Sequence, residues 1–85
     1  MSSAESKKVS VRYFALFREQ RGLSDEVLNT SAATLSDLYR ELSSLYRFSL
    51  PIDKVRVAVN DEFCDWQNPI EENAKVVFIP PVAGG

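Results

Sequence analysis

The residues best suited to take part in a chemical reaction are the last six, Pro80–Gly85. They hold two of the three glycines and two of the four prolines in the chain. Proline fixes φ and has no backbone N–H, so Pro80 and Pro81 should end strand pairing and begin an extended segment. Gly84 and Gly85 lack a Cβ atom, so they can pass through a narrow channel. We expect a thin tail that reaches about 20 Å at roughly 3.3 Å per residue and presents the α-carboxylate of Gly85.

The carboxylate of Gly85 needs activation before it can react. An α-carboxylate has an ordinary pKa of roughly 3.3–3.7, so it is ionised at neutral pH and inert as an electrophile. An acyl phosphate or an acyl adenylate would make its carbon reactive, and a projecting Gly-Gly end is what an activating enzyme could hold. The alternative is a frayed terminus without chemistry.

Composition excludes several other function classes. The 85 residues are 45% apolar and 26% charged, which is typical of one small globular domain. Ten basic against twelve acidic residues leave a net charge of −2, without the positive surplus of a nucleic-acid binder. The chain has no histidine and one cysteine, so we expect no dedicated zinc site, disulfide framework or Ser–His or Cys–His pair. No secretory signal or membrane-spanning stretch is expected.

Cys64 and a group of acidic residues are the other candidates for chemistry. A persulfide relay through Cys64 is conceivable, but we favour a small buried hydrophobe. The acidic group could hold a metal ion, although we favour solvated loops, and we expect Trp66 in the core or at its rim. The acidic residues are Asp61, Glu62, Asp65, Glu71 and Glu72.

Hydrophobic patterning predicts the elements that position the tail. Alternation over Val9–Tyr13 predicts a first strand, and Asp25–Asn29 a second strand antiparallel to it. Thr34 suits a helix N-cap. The helix after it has an apolar face at spacings of three and four residues, with Ser36 on the opposite, polar face. That apolar face comprises Leu35, Leu38, Tyr39, Leu42, Leu45 and Tyr46.

The second half of the chain predicts three further strands. Val55–Val59 alternates, Glu62–Trp66 suits a short edge strand, and Lys75–Ile79 is the last strand. A strand pair, a helix and more strands favour an α+β fold of the β-grasp type, with a mixed sheet on one main helix and the first and last strands side by side in the middle. We therefore divide the chain into a flexible leader (1–7), a β-grasp domain (8–79) and the extended tail (80–85).

The same alternation predicts a surface for partner binding. If Val9, Val11 and Tyr13 face the helix, Phe14 lies on the other side of the sheet. We expect Phe78 to point inward and its neighbours in the last strand outward, next to Phe14. The expected partner-binding residues of the sheet are Phe14, Phe63, Val77 and Ile79. The tail residues Pro80, Pro81, Val82 and Ala83 are expected to bind the partner because the projecting tail would enter its channel.

These residues resemble the MoaD family, the small subunit of molybdopterin synthase, over nearly the whole chain (residues 9–85). The Pro-Pro-x-x-Gly-Gly ending is the specific part of the resemblance, and the other segments support it. Two related carriers, the sulfur carrier of the thiamine pathway and the ubiquitin-related modifiers, end in Gly-Gly on the same fold but typically lack the double proline. The matching segments are Phe78–Gly85, Val11–Ala15, Arg18-Glu19, Ala58–Asn60 and Pro69.

The resemblance implies a sulfur-carrier subunit that binds no cofactor itself. A ubiquitin-activating-like (MoeB-like) enzyme would use ATP to adenylate Gly85, and sulfur from a persulfide would leave a thiocarboxylate. Gly84 would thread the channel of the MoaE-like large subunit, which would supply the catalytic groups and receive sulfur for cyclic pyranopterin monophosphate in molybdenum cofactor biosynthesis. The family also implies a cytoplasmic heterotetramer. A modifier conjugated through Gly85 and an inert binding module remain as alternatives.

Overall fold

The computed structural model describes residues 6–81, so the predictions for residues 1–5 and for Val82, Ala83, Gly84 and Gly85 lie outside the described part. None of the helices in residues 6–81 has the length and apolar character needed to cross a membrane. A short 3-10 helix precedes the third strand, at Ile52–Lys54. The other elements are β1 (Lys7–Tyr13), α1 (Ala15–Arg21), β2 (Asp25–Thr30), α2 (Leu35–Tyr46), β3 (Arg56–Val59), β4 (Glu62–Cys64) and β5 (Ala74–Ile79).

Within residues 6–81, one sheet has the strand order β2-β1-β5-β3-β4. The first and last strands, β1 and β5, are parallel neighbours in its middle, and the remaining neighbours are antiparallel. A parallel pair needs a crossover connection, and α2 lies within the chain that supplies it. The predicted α+β, β-grasp architecture is confirmed, with β1 beginning at Lys7.

Helix α2 begins where its sequence predicts. The Thr34 hydroxyl accepts a hydrogen bond from the Asp37 N–H at 3.2 Å, which satisfies one free donor of the first turn. Four residues of the predicted apolar face are buried, Tyr46 is half-buried, and Leu45 is 63% exposed. Ser36, predicted on the polar face, is buried because its N–H donates to the Trp66 carbonyl of a loop that covers this end of the helix (2.9 Å).

The reason for the exposure of Leu45 lies at the edge of the sheet. Glu41, one turn earlier on the same side of α2, accepts a hydrogen bond from Thr30 of β2 at 2.8 Å. This side of the helix therefore faces β2, the outermost strand, and within residues 6–81 no further strand lies beyond β2 to cover Leu45.

Helix α1 was not predicted from the sequence. Its seven residues bury one side chain, Phe17, which is too weak a pattern for a helical period. Gly22 caps the helix: it has φ +87°, and its N–H donates to the Arg18 carbonyl at 2.8 Å. A left-handed residue at this position is the common way for a helix to end.

The core between α2 and the sheet is rich in aromatic rings. Phe78 of β5 lies 5.3 Å from Tyr39, 5.9 Å from Trp66 and 6.2 Å from Phe17, measured between ring centroids. Phe17 in turn lies 4.9 Å from Phe48, with the rings at 64°. Trp66 packs against this core, as predicted. The Trp66–Phe78 pair is stacked, and the contacts of Phe78 with Tyr39 and Phe17 and of Phe17 with Phe48 are edge-to-face. Both kinds of contact add to the apolar burial, and those of Phe17 hold α1 onto the domain.

Candidate functional site

The tail leaves the domain from the centre of the sheet. Its root is the end of β5, where Phe78 pairs with Tyr13 of β1 and Ile79 with Arg56 of β3. Pro80 is half-buried and Pro81 is exposed. The predicted site residues beyond Pro81 lie outside the described part of the chain.

Strand β5 presents alternate side chains to the two faces of the sheet. Phe78 is fully buried on the face covered by α2, while Val77 and Ile79 are half-buried on the opposite face. The prediction of Phe78 inward and its neighbours outward is confirmed. Phe14 is 43% exposed and Phe63 is 65% exposed, so the four apolar groups expected in the docking surface all reach solvent.

Strand register places these groups together. Val77 pairs with Ala58, and Ala58 pairs with Phe63, so the three side chains form one row across the uncovered face. Ala58 is 7% exposed between its larger neighbours. It was missed as a site residue, although the alternation of valines around it already directed it outward. We call the outward apolar group the outer patch; its residues are Phe14, Ala58, Phe63, Val77 and Ile79.

Basic side chains surround the outer patch. Arg12 lies directly beside Val77, and Arg56 pairs with Ile79. The Arg56 guanidinium carbon sits 5.2 Å from the centre of the Phe63 ring, within cation–π distance. Lys75, two residues before Val77, is exposed on the same face. These cations form no salt bridge within residues 6–81, so they remain available to carboxylates of a partner.

Asn60 ties the β3–β4 turn to the start of β5. Asn60 and Asp61 have φ of +52° and +73°, the geometry of a tight two-residue hairpin turn. The Asn60 N–H donates to the Lys75 carbonyl at 2.9 Å, and the Lys75 N–H donates to the Asn60 side-chain oxygen at 3.2 Å. The Ala-Val-Asn segment thereby fixes the strand from which the tail emerges.

A hydrogen-bonded cluster on the helix side fixes the end of β1. Glu26 accepts bonds from the Tyr13 hydroxyl (2.7 Å) and from Arg21 (2.9 and 3.0 Å), and Arg21 lies 4.1 Å above the Tyr46 ring. The bonds from Arg21 lower the pKa of Glu26. Burial, together with the bond to Glu26, raises the pKa of Tyr13. No periodic pattern in the sequence indicates this cluster.

Phe14 owes its position to the turn that follows β1. Its carbonyl accepts a hydrogen bond from the Phe17 N–H at 3.0 Å, and Phe17 is buried in the core. Ala15 between them has φ +50°, a left-handed conformation that strains a residue with a Cβ atom. The turn thus holds Phe14 outward beside the root of the tail.

The other chemical candidates contribute no site in residues 6–81. Cys64 is half-buried and packs against the core, and burial followed by the neighbouring Asp65 raises the pKa of its thiol. A raised pKa lowers the thiolate fraction and hence the reactivity. The acidic residues are exposed, and no group of three or more potential ligands comes together in the described part.

Comparison with known proteins identifies the relatives of this chain. A model described as the ThiS family matches residues 11–85. None of the curated proteins with which the sequence was compared matches it.

Solved structures with the same fold include carriers and modifiers. A candidate molybdopterin converting factor, subunit 1, from Pyrococcus furiosus has 29% identity and a TM-score of 0.76, covering 89% of this chain and 99% of that one. Subunits 1 and 2 of the Helicobacter pylori molybdopterin-converting factor form a complex; the matching chain has 25% identity and a TM-score of 0.62, covering 92% and 99%. SAMP1 from Haloferax volcanii, at 19% identity, a TM-score of 0.75 and coverage of 92% and 99%, shares the fold.

Proposed function

The chain belongs to the ThiS family of ubiquitin-like β-grasp proteins, and on that premise we propose that it is a sulfur carrier that works through a thiocarboxylate on Gly85. The observation that carries this proposal is the family match, which extends through the Gly-Gly ending. The position of the tail root supports it, because β5 leaves the sheet beside an uncovered apolar surface. A partner bound to that surface would hold the tail close to its own active site.

The proposed reaction has three steps. The Gly85 carboxylate attacks the α-phosphorus of ATP, pyrophosphate leaves, and an acyl adenylate forms. The terminal sulfur of a persulfide then attacks the acyl carbon, and AMP leaves. A thiol cleaves the resulting S–S bond, which gives a disulfide and leaves the thiocarboxylate on Gly85. Cys64 has no role in these steps, in keeping with the raised pKa of its thiol.

We further propose that the acceptor is a cyclic pyranopterin monophosphate bound to a MoaE-like large subunit, so that the chain acts as the small subunit of a molybdopterin synthase. A MoeB-like enzyme would form the adenylate in the cytoplasm. Similarity to the P. furiosus and H. pylori chains, both described as subunits of a molybdopterin converting factor, supports this choice. The Pro80-Pro81 pair favours it over the thiamine-pathway carrier.

The outer patch suggests the kind of surface that these partners present. Its apolar side chains favour an apolar counterpart, with an energetic gain of about 25 cal/mol per Å² of buried apolar area before the costs of association. Arg12, Arg56 and Lys75 favour carboxylates around that counterpart. Charges at the rim should act mainly on the rate of association.

A second candidate function is protein modification through an isopeptide bond to Gly85. It is favoured by the fold shared with SAMP1, described as a small archaeal modifier protein. Both functions begin with an adenylate and differ in the nucleophile that attacks it, a persulfide sulfur or a lysine amine. The final product therefore distinguishes the two functions, and the activation step does not.

Intact-mass measurement tests the proposal. The full chain is incubated with the adenylating enzyme, ATP and a persulfide donor. We expect one oxygen of the chain to be replaced by sulfur, and the charged chain to sulfurate the pterin on the large subunit. Attachment of the chain to other proteins would favour the modifier, and an unchanged mass would refute both functions.

Two tail variants locate the reaction at Gly85. Deletion of Gly85, or addition of one residue after it, should abolish loading with sulfur. The unfolding temperature should not change, because the tail follows the last strand at Ile79. Full loading of the extended chain would contradict a reaction at this carboxylate.

A further inference from the structure

The two edges of the sheet differ in how they are protected. At one edge, β4 has three residues, and Arg56 lies over its Phe63 ring. At the other edge, β2 has six residues paired to β1 without a bulge. Natural proteins usually shorten or bulge such edges, or place charged residues or proline in them. Asp25–Thr30 is neither short nor bulged and has no lysine or proline; its charges are Asp25 and the inward-pointing Glu26. Val27, in the middle of this edge, is 64% exposed.

The register of β2 shows which of its main-chain groups have no partner among residues 6–81. The Tyr13 N–H donates to the Ser24 carbonyl at 2.8 Å, so Ser24 belongs to a hydrogen-bonded pair. Such pairs alternate along an antiparallel ladder, so Glu26 and Leu28 bond to β1. The main-chain N–H and C=O groups of the residues between them point away from the sheet; these residues are Asp25, Val27 and Asn29.

We propose that this edge pairs with the same edge of a second copy of the chain, as an antiparallel β2–β2 contact centred on Val27. In this register Val27 lies opposite Val27 of the second copy, and Asp25 lies opposite Asn29. Three outward residues on each strand then exchange six main-chain hydrogen bonds. The two sheets become one continuous sheet.

Side-chain chemistry selects that register. The central pair brings together two apolar Val27 side chains, and each Asp25 carboxylate faces an Asn29 amide that can donate a hydrogen bond to it. A register centred on Asp25 would place two carboxylates directly opposite each other, which is destabilising, and one centred on Asn29 would lose strand pairs. Glu26 adds no repulsion of its own, since Arg21 binds its carboxylate on the helix side.

The contact is compatible with a working tail. Strand β5 lies two positions in from β2, about 10 Å from the paired edge at the usual strand spacing. Because the two β2 strands run antiparallel, the two β5 strands also run in opposite directions, and their tails leave from opposite ends. A single strand pair buries less than the roughly 1,200–2,000 Å² of a stable interface, so the dimer is weak and reversible. It does not depend on sulfur transfer.

Sedimentation velocity on the full chain tests the contact, at concentrations up to about 1 mM. We expect a concentration-dependent monomer–dimer equilibrium, and Val27→Lys should weaken it by about tenfold or more, because two ammonium groups would meet at the axis. The matched control is Phe63→Lys, an equally exposed apolar residue at the other edge, which should leave the dissociation constant unchanged. A chain that stays monomeric, or a dimer broken by Phe63→Lys and not by Val27→Lys, would overturn the proposal.

Amide hydrogen exchange tests the register. As the dimer forms, the amides of Asp25, Val27 and Asn29 should gain protection in the wild-type chain, while those of Glu26 and Leu28 keep the protection they have from β1. This readout does not depend on any substitution being tolerated. Dimer formation without protection at Val27 would show that the copies meet elsewhere and would overturn the β2 contact.

Discussion

The same strands form both faces of the sheet, but the two faces differ in the burial of their apolar side chains and in the pairing of their charges. On β5, Val76 and Phe78 are buried beneath α2, and Val77 and Ile79 are half-buried on the uncovered face. On the inner face, the charges of Arg21 and Glu26 are paired with each other. On the outer face, Arg12 and its basic neighbours form no salt bridge within residues 6–81. The inner face is buried and has its charges paired within the domain, whereas the outer face has the composition of an interface.

This difference explains the continuous apolar run of the last strand. Such a run usually means that both faces of a strand are covered. Here, within the described chain, α2 covers one face, so half of the run serves the fold, and the other half belongs to the surface that we propose binds a partner. The tail root lies where the two roles meet, because Phe78 anchors β5 in the core immediately before Ile79 and the prolines. In the proposed function, the chain loaded with sulfur would therefore combine a rigid base with a docking surface beside it.

The largest predicted effect is a difference in stability between substitutions on the two faces of β5. Phe78→Ala should lower the free energy of unfolding by about 3–5 kcal/mol, because the ring contacts Tyr39, Trp66 and Phe17. Val77→Ala, its neighbour on the outer face, should lower it by less than about 1 kcal/mol. Urea unfolding followed by circular dichroism measures both. Equal losses would mean that the outer face contributes to the fold as much as the core does.

The next largest effect should be a change in affinity for the partner, without a change in stability of the domain. Phe14→Glu should weaken binding to the proposed large subunit by about tenfold or more, since a carboxylate would replace an apolar contact of the outer patch. Isothermal titration calorimetry measures the dissociation constant. The matched control is Leu45→Glu, which introduces the same charge at an exposed apolar residue on α2. Unaltered affinity for Phe14→Glu, or an equal loss for Leu45→Glu, would remove Phe14 from the docking surface.

Strong periodic patterns were enough to predict most of the fold. The alternation in β1 and the helical period of α2 each depend on several residues that share one face, so single exceptions such as Leu45 do not hide them. The same alternation predicted which residues of β5 point outward. Composition singles out the Gly-Gly tail, which lies outside the described residues.

Features that depend on tertiary contacts were missed. Helix α1 has one buried side chain and begins at Ala15 in a left-handed conformation, so no local pattern indicates it. Ser36 is buried by a loop more than 25 residues later in the chain. Ala58 belongs to the outer patch because of the neighbours that strand pairing brings to it, and register is not visible in one strand alone.

The smallest effect concerns the one ion pair in residues 6–81, between Arg21 and Glu26. Because the bonds from Arg21 lower the pKa of Glu26 in the folded chain, the unfolded chain binds the proton more readily. The pair's contribution is therefore complete above the ordinary glutamate pKa of about 4.3 and is lost as the pH falls through the lower, folded pKa. Glu26→Gln should lower the free energy of unfolding by about 1 kcal/mol at neutral pH. In urea unfolding measured from neutral pH to pH 3, the difference from the wild type should shrink below about pH 4.3. A difference that stayed constant with pH would mean that the inner face gains nothing from this charge, and the contrast with the unpaired cations of the outer face would fail.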